Sequence, residues 1–556
     1  MTGRRLSARL RLAPYSLPAL ASAAVLSLVV AVAPAPAQEL THIEGLGSLS
    51  FPNSGADAAQ HDFVRGVLQL HSFEYAFAAE AFRRAQEIDP DFAMAYWGEA
   101  MTYTHAVWNQ KDGEAAREAL SRYGPTPAAR QEKVATKREK AYLAAVDVLY
   151  GEGEKAALDT AYSREMANLA AEYPDDMEAQ TFYALSLLGL SQGARNVPTY
   201  MEAGAIALSA FEKNKDHPGA AHYTIHSFDD PTHAILAMEA ALTYGPIAPE
   251  AAHAQHMTTH IFLARGLWDD VVETNIRADA VTDRNLARRE LPPTSCGHYN
   301  EWLMYGYQQQ GRYDDAEALL MSCFNQAHDE RFPERMRQSY AFSYAYMRSL
   351  NLADTRNFEG EPAQTVAELG DDGLTGQLMQ AWGSGMAAVG RGDRSAAAEH
   401  HAMLKDRGGS VEASYVSPYV PVWQGTLAAA LKAHDGDMDG AVGSAREAAE
   451  YEAALPVDFG PPIAFKPARE YEADLLLMDG QAAEALNAYQ LQLARTPKRA
   501  LSLAGFARAA IATDQTELAT DTYRTLSEIL SGADADMPEA LEARTFLSGR
   551  AAQPEG

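Results

Sequence analysis

The chain has 556 residues, with 46 Lys and Arg against 75 Asp and Glu, 16 His and two Cys. A composition of 47% hydrophobic and 22% charged residues is that of a globular chain and excludes intrinsic disorder and a polytopic membrane protein. A net charge of −29 argues against nucleic acid and anionic membrane as partners, and two cysteines exclude a disulfide framework or a Cys-rich zinc fold.

Residues 1–37 carry the pattern of an export leader. Arg4, Arg5, Arg9 and Arg11 precede the apolar run Leu17 to Val32, and Ala35-Pro36-Ala37 supplies the small residues for cleavage before Gln38. The run is 16 residues long, short of the roughly 20 that a membrane span needs. The expectation is a general secretory signal peptide, a periplasmic or secreted mature chain, and no membrane span after cleavage. Losing those four arginines takes the charge from −29 to −33. Residues 38–60 read as an N-terminal linker.

Beyond residue 60, apolar residues recur at helical spacing and strand-like alternation is nearly absent. Gly66, Ala78, Phe82, Ala85 and Pro90 stand at the offsets of Gly, Ala, Phe, Ala and Pro in the tetratricopeptide (TPR) pattern. Gly480, Ala485, Tyr489 and Pro497 repeat its second half, and similar turns occur at 265–270 and 310–315. Small residues let paired helices approach, and large ones fill the groove of the next pair. The predicted fold is therefore all-α, an α-solenoid of TPR-like helical hairpins. Gly-, Pro- and acid-rich stretches at 352–376 and 455–467 read as loops, giving a block at 61–350 and C-terminal repeats at 375–550.

Two segments narrow the resemblance. His217-Pro218-Gly219-Ala220-Ala221-His222-Tyr223-Thr224-Ile225-His226 and His253-Ala254-Gln255-His256-Met257-Thr258-Thr259-His260-Ile261-Phe262 resemble a bacterial group of exported TPR-containing proteins. Segments similar to Ala93–Gly98, and to Phe459-Gly460-Pro461-Pro462 followed by Lys466-Pro467-Ala468, also typify that group. Thr258-Thr259 departs from it, since the group usually has Pro-Ser there. The resemblance implies the fold and no settled activity.

The histidines are concentrated in one region. Eight of the 16 fall between His217 and His298, where uniform scatter would place about 2.4. His222 and His226 are four apart, and His253, His256 and His260 are three and four apart, which puts each set on one helix face. Imidazoles one turn apart can converge on a metal. Both helices are expected at positions lining the concave face of the solenoid, with His298 completing a ring and Glu301, one turn on, as ligand, orienting group or base. Imidazole ligation without thiolate favours Cu or Zn, then Fe or Ni, over Ca or Mg. The competing reading makes these histidines hydrogen-bonded core residues. His217 reads as a helix cap and His233 as structural; Asp229 and Asp230 are further candidates for the carboxylate role given to Glu301, with solvated helix-end acids as their default reading.

Tyr96 and Trp97 read as core, while His71, His105 and Trp108 are candidates for a ligand groove. Cys296 and Cys323 flank the Gly311 turn and are a candidate disulfide. Asp435–Gly440 starts like a calcium loop but lacks the closing Glu, so it reads as a hairpin turn. No phosphate loop, nucleophile elbow or dinucleotide fingerprint is present.

Two functions follow from different features. The histidine spacing suggests a transition-metal site for metal handling or a metal-dependent reaction. The fold by itself suggests a scaffold holding a peptide or protein in its groove. No nucleophile is assignable, so enzyme status is left open.

Overall fold

The helical period of the sequence becomes a run of paired helices. The computed structural model describes residues 40–191, 195–370, 373–412, 414–457 and 459–551. Among them are 26 α-helices packed on their neighbours in sequence, and two β-ribbons of two strands each. The fold is thus an all-α solenoid of TPR-like hairpins. The leader-like segment 1–37 lies outside the described residues, and no described helix is long and apolar enough to cross a membrane.

Small residues at the repeat positions set how closely the helices approach. A Cβ at Gly66 would lie 2.7 Å from the Phe82 ring, and one at Gly98 would lie 2.3 Å from it. Two helices therefore close on one ring because neither position carries a side chain. Tyr489 fills the same role against Gly505, where a Cβ would stand 2.2 Å away. Gly266 and Gly311 take φ of 63° and 71° at the two expected turns, a region where glycine pays no Cβ penalty. Asp437 caps the helix Met438–Ala454, its carboxylate accepting from Gly440 N at 3.0 Å, so the calcium-like stretch is the expected hairpin turn.

The N-terminal segment differs from its reading as a linker. Thr41–Ile43 and Gly47–Leu49 pair as antiparallel strands, and Leu46, Leu49 and Phe51 are buried. Ser48 N donates to Asp216 O at 2.9 Å, fastening this ribbon to the turn before Pro218.

The interruption at 352–376 is only partly a loop. Helix Glu334–Thr355 runs into it, a short helix covers Glu361–Gln364, and Leu374–Gly390 resumes the array. The two blocks form one unit. Trp268 Nε1 donates to Lys498 O at 2.9 Å, joining helix Trp268–Ala287 to a turn some 230 residues later in sequence. The fully buried Arg499 pairs with Asp354 and, at 2.8 Å, with Glu470. Removing one partner would strand a buried charge.

Trp97 and Tyr96 are buried, as expected of core residues. Cys296 and Cys323 form a disulfide, with Cα atoms 4.8 Å apart.

Two outcomes are expected from this packing. Gly98→Ala should destabilise the chain by about 1–3 kcal/mol in urea melts, because the added methyl drives into Phe82. Alkylation without reduction should label neither cysteine. Cutting this 27-residue link by Cys296→Ala/Cys323→Ala should cost about 3.5 kcal/mol in the same melts.

Candidate metal centre

Three helices carry the clustered histidines: Pro218–Phe228, Ala252–Arg265 and His298–Gln309. His217 starts the first, its Nδ1 accepting from Ala220 N at 3.1 Å, which is the expected capping role. Their imidazoles meet in two trios. His222, His226 and His253 form one, and His256, His260 and His298 form the other. Within each trio the candidate ligand atoms all lie within 4.8 Å of one another.

The surroundings differ from the expected open concave face. His222, His226, His253, His256 and His260 are buried, while His298 is exposed. Aromatic rings wall them in. Phe73 meets His222 edge-on at 4.3 Å and stacks on His253 at 5.3 Å between centroids. Trp302 stacks on His260 at 4.6 Å, and Phe459, from the irregular 455–467 segment, stacks on it at 5.3 Å. Phe73 holds φ at 54°, a costly conformation for a bulky residue, of about 1–3 kcal/mol.

Hydrogen bonding sets which nitrogen of each ring is free. His222 Nδ1 donates to the His71 carbonyl at 2.6 Å. His256 Nδ1 donates to Asn275 Oδ1 at 2.8 Å, and His260 Nδ1 to Asp229 Oδ2 at 3.0 Å. His226 Nδ1 faces the same carboxylate oxygen at 3.5 Å. A neutral imidazole that donates from Nδ1 presents a lone pair at Nε2. Among the described residues, Nε2 of His226, His256 and His260 is buried with no protein partner. Nε2 of His222 faces Nε2 of His253 at 3.2 Å.

A second buried cluster shows the contrast. His71 and His217 direct Nε2 at the two oxygens of Glu178, at 2.7 and 2.9 Å. Their Nδ1 atoms accept from the Tyr223 hydroxyl at 2.9 Å and from Ala220 N at 3.1 Å. Every ring nitrogen there is used, so no lone pair remains for a metal. His71, expected in a ligand groove, is instead a fully buried structural residue. Its chain carbonyl anchors His222.

Glu301 stands apart from both trios, and its carboxyl group bonds Ser343; burial raises its pKa to about 7. His233 is held by Asp230 at 2.8 Å, a structural role as expected. Asp230 and Asp229 are both buried rather than solvated. Asp229 pairs with Arg195 at 2.7 Å. Burial pushes its carboxyl up, but Arg195 and the His226 and His260 hydrogen bonds outweigh that and hold it well below the usual carboxylate range. Its position three residues after His226 was the available signal, since i+3 places it on the same helix face. Nothing in the sequence pointed to Asn275.

His105 and Trp108 lie on the ribbon formed by Thr104–His105 and Gln110–Lys111 and its connecting turn. They line a cavity of about 410 Å³ together with Phe73, Glu74, Tyr75, His253, His298 and Tyr299. His253 and His298, one from each trio, are thus the rings that reach the cavity. Glu74 Oε1 accepts from His253 N at 3.2 Å, and burial raises its pKa.

Comparisons with known proteins do not add to the fold class that helix pairing already gives. No protein-family model and no curated protein matches the chain. It is similar to the solved structure of yeast Tom70, at 15% identity over 89% of this chain and 96% of that one, with a TM-score of 0.28. The P58(IPK) TPR domain gives 12% identity, 89% and 100% coverage and a TM-score of 0.21. The APC/C hetero-tetramer Cut9-Hcn1 gives 12%, 90% and 97%, and 0.27.

The buried rings make the metal-free chain acid-sensitive. Burial, reinforced by neighbouring imidazoles, holds His222, His253 and His256 well below the ordinary value of 6.5. Burial also lowers His260, despite Asp229. Unfolded, each takes a proton near 6.5, so below that pH the unfolded state binds more protons and is favoured. Stability is full above about pH 6.5 and falls as pH drops toward the folded values, by at most about 1.4 kcal/mol per pH unit for each ring. Urea melts of chelator-treated protein at about pH 7.5 and 5.5 should show this loss, and bound metal should reduce it.

Proposed function

We propose that this chain is an exported TPR-like solenoid that binds a transition metal in its interior, for metal handling or a metal-dependent reaction. The observation that carries the reading is the uniform polarity of the rings. Nδ1 of His222, His226, His256 and His260 is directed at an oxygen acceptor, which leaves Nε2 to accept; among the described residues that atom has no protein partner in His226, His256 and His260, and in His222 it meets His253. Metal-ligating imidazoles are held this way, because the outer hydrogen bond fixes both tautomer and ring orientation. A buried lone pair left unpaired costs about 1–3 kcal/mol, so three such atoms oppose folding unless something binds them.

The ligand set is neutral imidazole, which suits Cu or Zn, then Fe or Ni. The leader-like N-terminus and the Cys296–Cys323 disulfide fit an oxidising compartment. The cavity beside His253 and His298 gives a small molecule a route to the rings. A scaffold role without metal has no feature of comparable specificity to support it.

Elemental analysis of untagged mature protein tests the reading. Metal at one equivalent or more is expected, and His222→Ala/His260→Ala, which takes one ring from each trio, should remove most of it while His233→Ala keeps it. Asp229→Asn, which leaves every ring in place, should weaken binding by about 10–100-fold in a chelator competition. Less than about a tenth of an equivalent of metal, with no uptake of added Cu or Zn, would overturn the proposal.

A further inference from the structure

The two trios are neighbours. His226 and His260, one from each, have ring centroids 5.5 Å apart, and His253 and His256 are 6.1 Å apart. Asp229 Oδ2 stands 3.5 Å from His226 Nδ1 and 3.0 Å from His260 Nδ1, so one carboxylate orients a ring in each trio. His253 and His298 bring both trios to the edge of the same cavity. From these juxtapositions we infer that the chain holds a dinuclear copper centre, one ion in each three-histidine trio. This inference rests on the metal-binding reading above.

Nuclearity follows from the number of donors and their spacing. Imidazoles bind at about 2.0–2.1 Å, so two on one tetrahedral ion stand about 3.4 Å apart. Nε2 of His222 and Nε2 of His253 are already 3.2 Å apart. Six imidazoles spread over two such groups exceed what one ion of this radius takes. Three from each group leave each ion an open position, the arrangement of a reactive rather than a purely structural site.

The identity of the ion follows from charge. Neither trio contains a carboxylate or thiolate; of the nearby carboxylates, Asp229 is already paired with Arg195, and Glu74 accepts from the chain N–H of His253. Filling both trios with divalent ions would bring four positive charges among neutral imidazoles, five of the six buried, whereas monovalent ions bring two. The cost of burying an ion rises with the square of its charge, so the monovalent pair is favoured. Of the metals that imidazole binds well, copper has the accessible monovalent state. Phe73, Trp302 and Phe459 pack against the rings, and an apolar shell of this kind adds to the preference.

Anaerobic titration of untagged, metal-free protein with Cu(I) against a competing chelator, followed by counting bound copper and zinc, tests the inference. Two coppers per chain are expected, and after oxidation the electron paramagnetic resonance intensity should fall well below two spins, because adjacent Cu(II) ions couple. His222→Ala and His256→Ala, each lacking one trio, should keep one copper with close to full single-spin intensity. Should either variant fail to fold, as judged by circular dichroism melts, anomalous scattering from copper-loaded wild-type crystals should still show two peaks among the six rings. One copper per chain with full intensity, two uncoupled spins, or uptake of zinc without copper would overturn the dinuclear copper centre and leave the metal-binding reading standing. Binding of neither metal would overturn both.

Discussion

A neutral imidazole has one N–H and one lone pair, and this single constraint organises the interior of the protein. Once Nδ1 donates, Nε2 can only accept, so each outer hydrogen bond decides what the ring offers inward. His222, His256 and His260 use three different acceptors to the same end: a chain carbonyl, an amide oxygen and a carboxylate. His71 and His217 obey the same rule with the opposite result, because Glu178, Tyr223 and Ala220 use both nitrogens of each ring. Chemically identical side chains in adjacent clusters are thereby divided into rings that keep an inward lone pair and rings that keep none. Burial sharpens the division, since no solvent is at hand to repair a wrong assignment.

The solenoid supplies the acceptors from its ordinary parts. His71 closes the helix Asp57–His71, and the last carbonyls of a helix have no partner within it. That surplus carbonyl is the one His222 uses. Gly219 makes the approach feasible, as a Cβ there would stand 2.2 Å from His71 Nδ1. Asn275 comes from the helix that follows the 252–265 helix, and its Nδ2 donates to Val271 O at 2.8 Å, which fixes the amide so that its oxygen faces His256. Packing of successive helices and orientation of the rings are therefore one set of contacts, and a change in helix spacing would be felt at the nitrogens.

Much of this was legible in the sequence. Helical periodicity and the Gly66, Phe82 and Tyr489 spacing foretold the hairpins because close helix packing leaves a local signature. The i,i+3 and i,i+4 histidines foretold shared faces for the same reason. Burial is different, because it depends on segments distant in sequence. Phe459 covers His260 from about 200 positions away, so the open concave face expected from repeat geometry is closed by a later turn of the chain. Asp229 looked like a solvated helix end for the same reason, as Arg195, its counter-charge, lies outside the histidine region. His71 was misplaced because a lone histidine on a helix does not reveal what its two nitrogens meet.

The late repeats give that closure its rigidity. Phe459 precedes Lys466, whose ammonium group lies 2.9 Å from Glu470 and 2.7 Å from Asp474, and Glu470 in turn holds Arg499. Arg499 reaches Asp354 at the end of the helix Glu334–Thr355, and Tyr305, on the helix that begins at His298, bonds Arg499 at 3.2 Å. A chain of buried charges therefore links the segment capping His260 to the helix carrying His298 and Trp302. Such a network is a poor source of net stability, since desolvation offsets most of the attraction. Its directional bonds do hold the capping segment in one place, and the aromatic wall of the histidine trios depends on that placement.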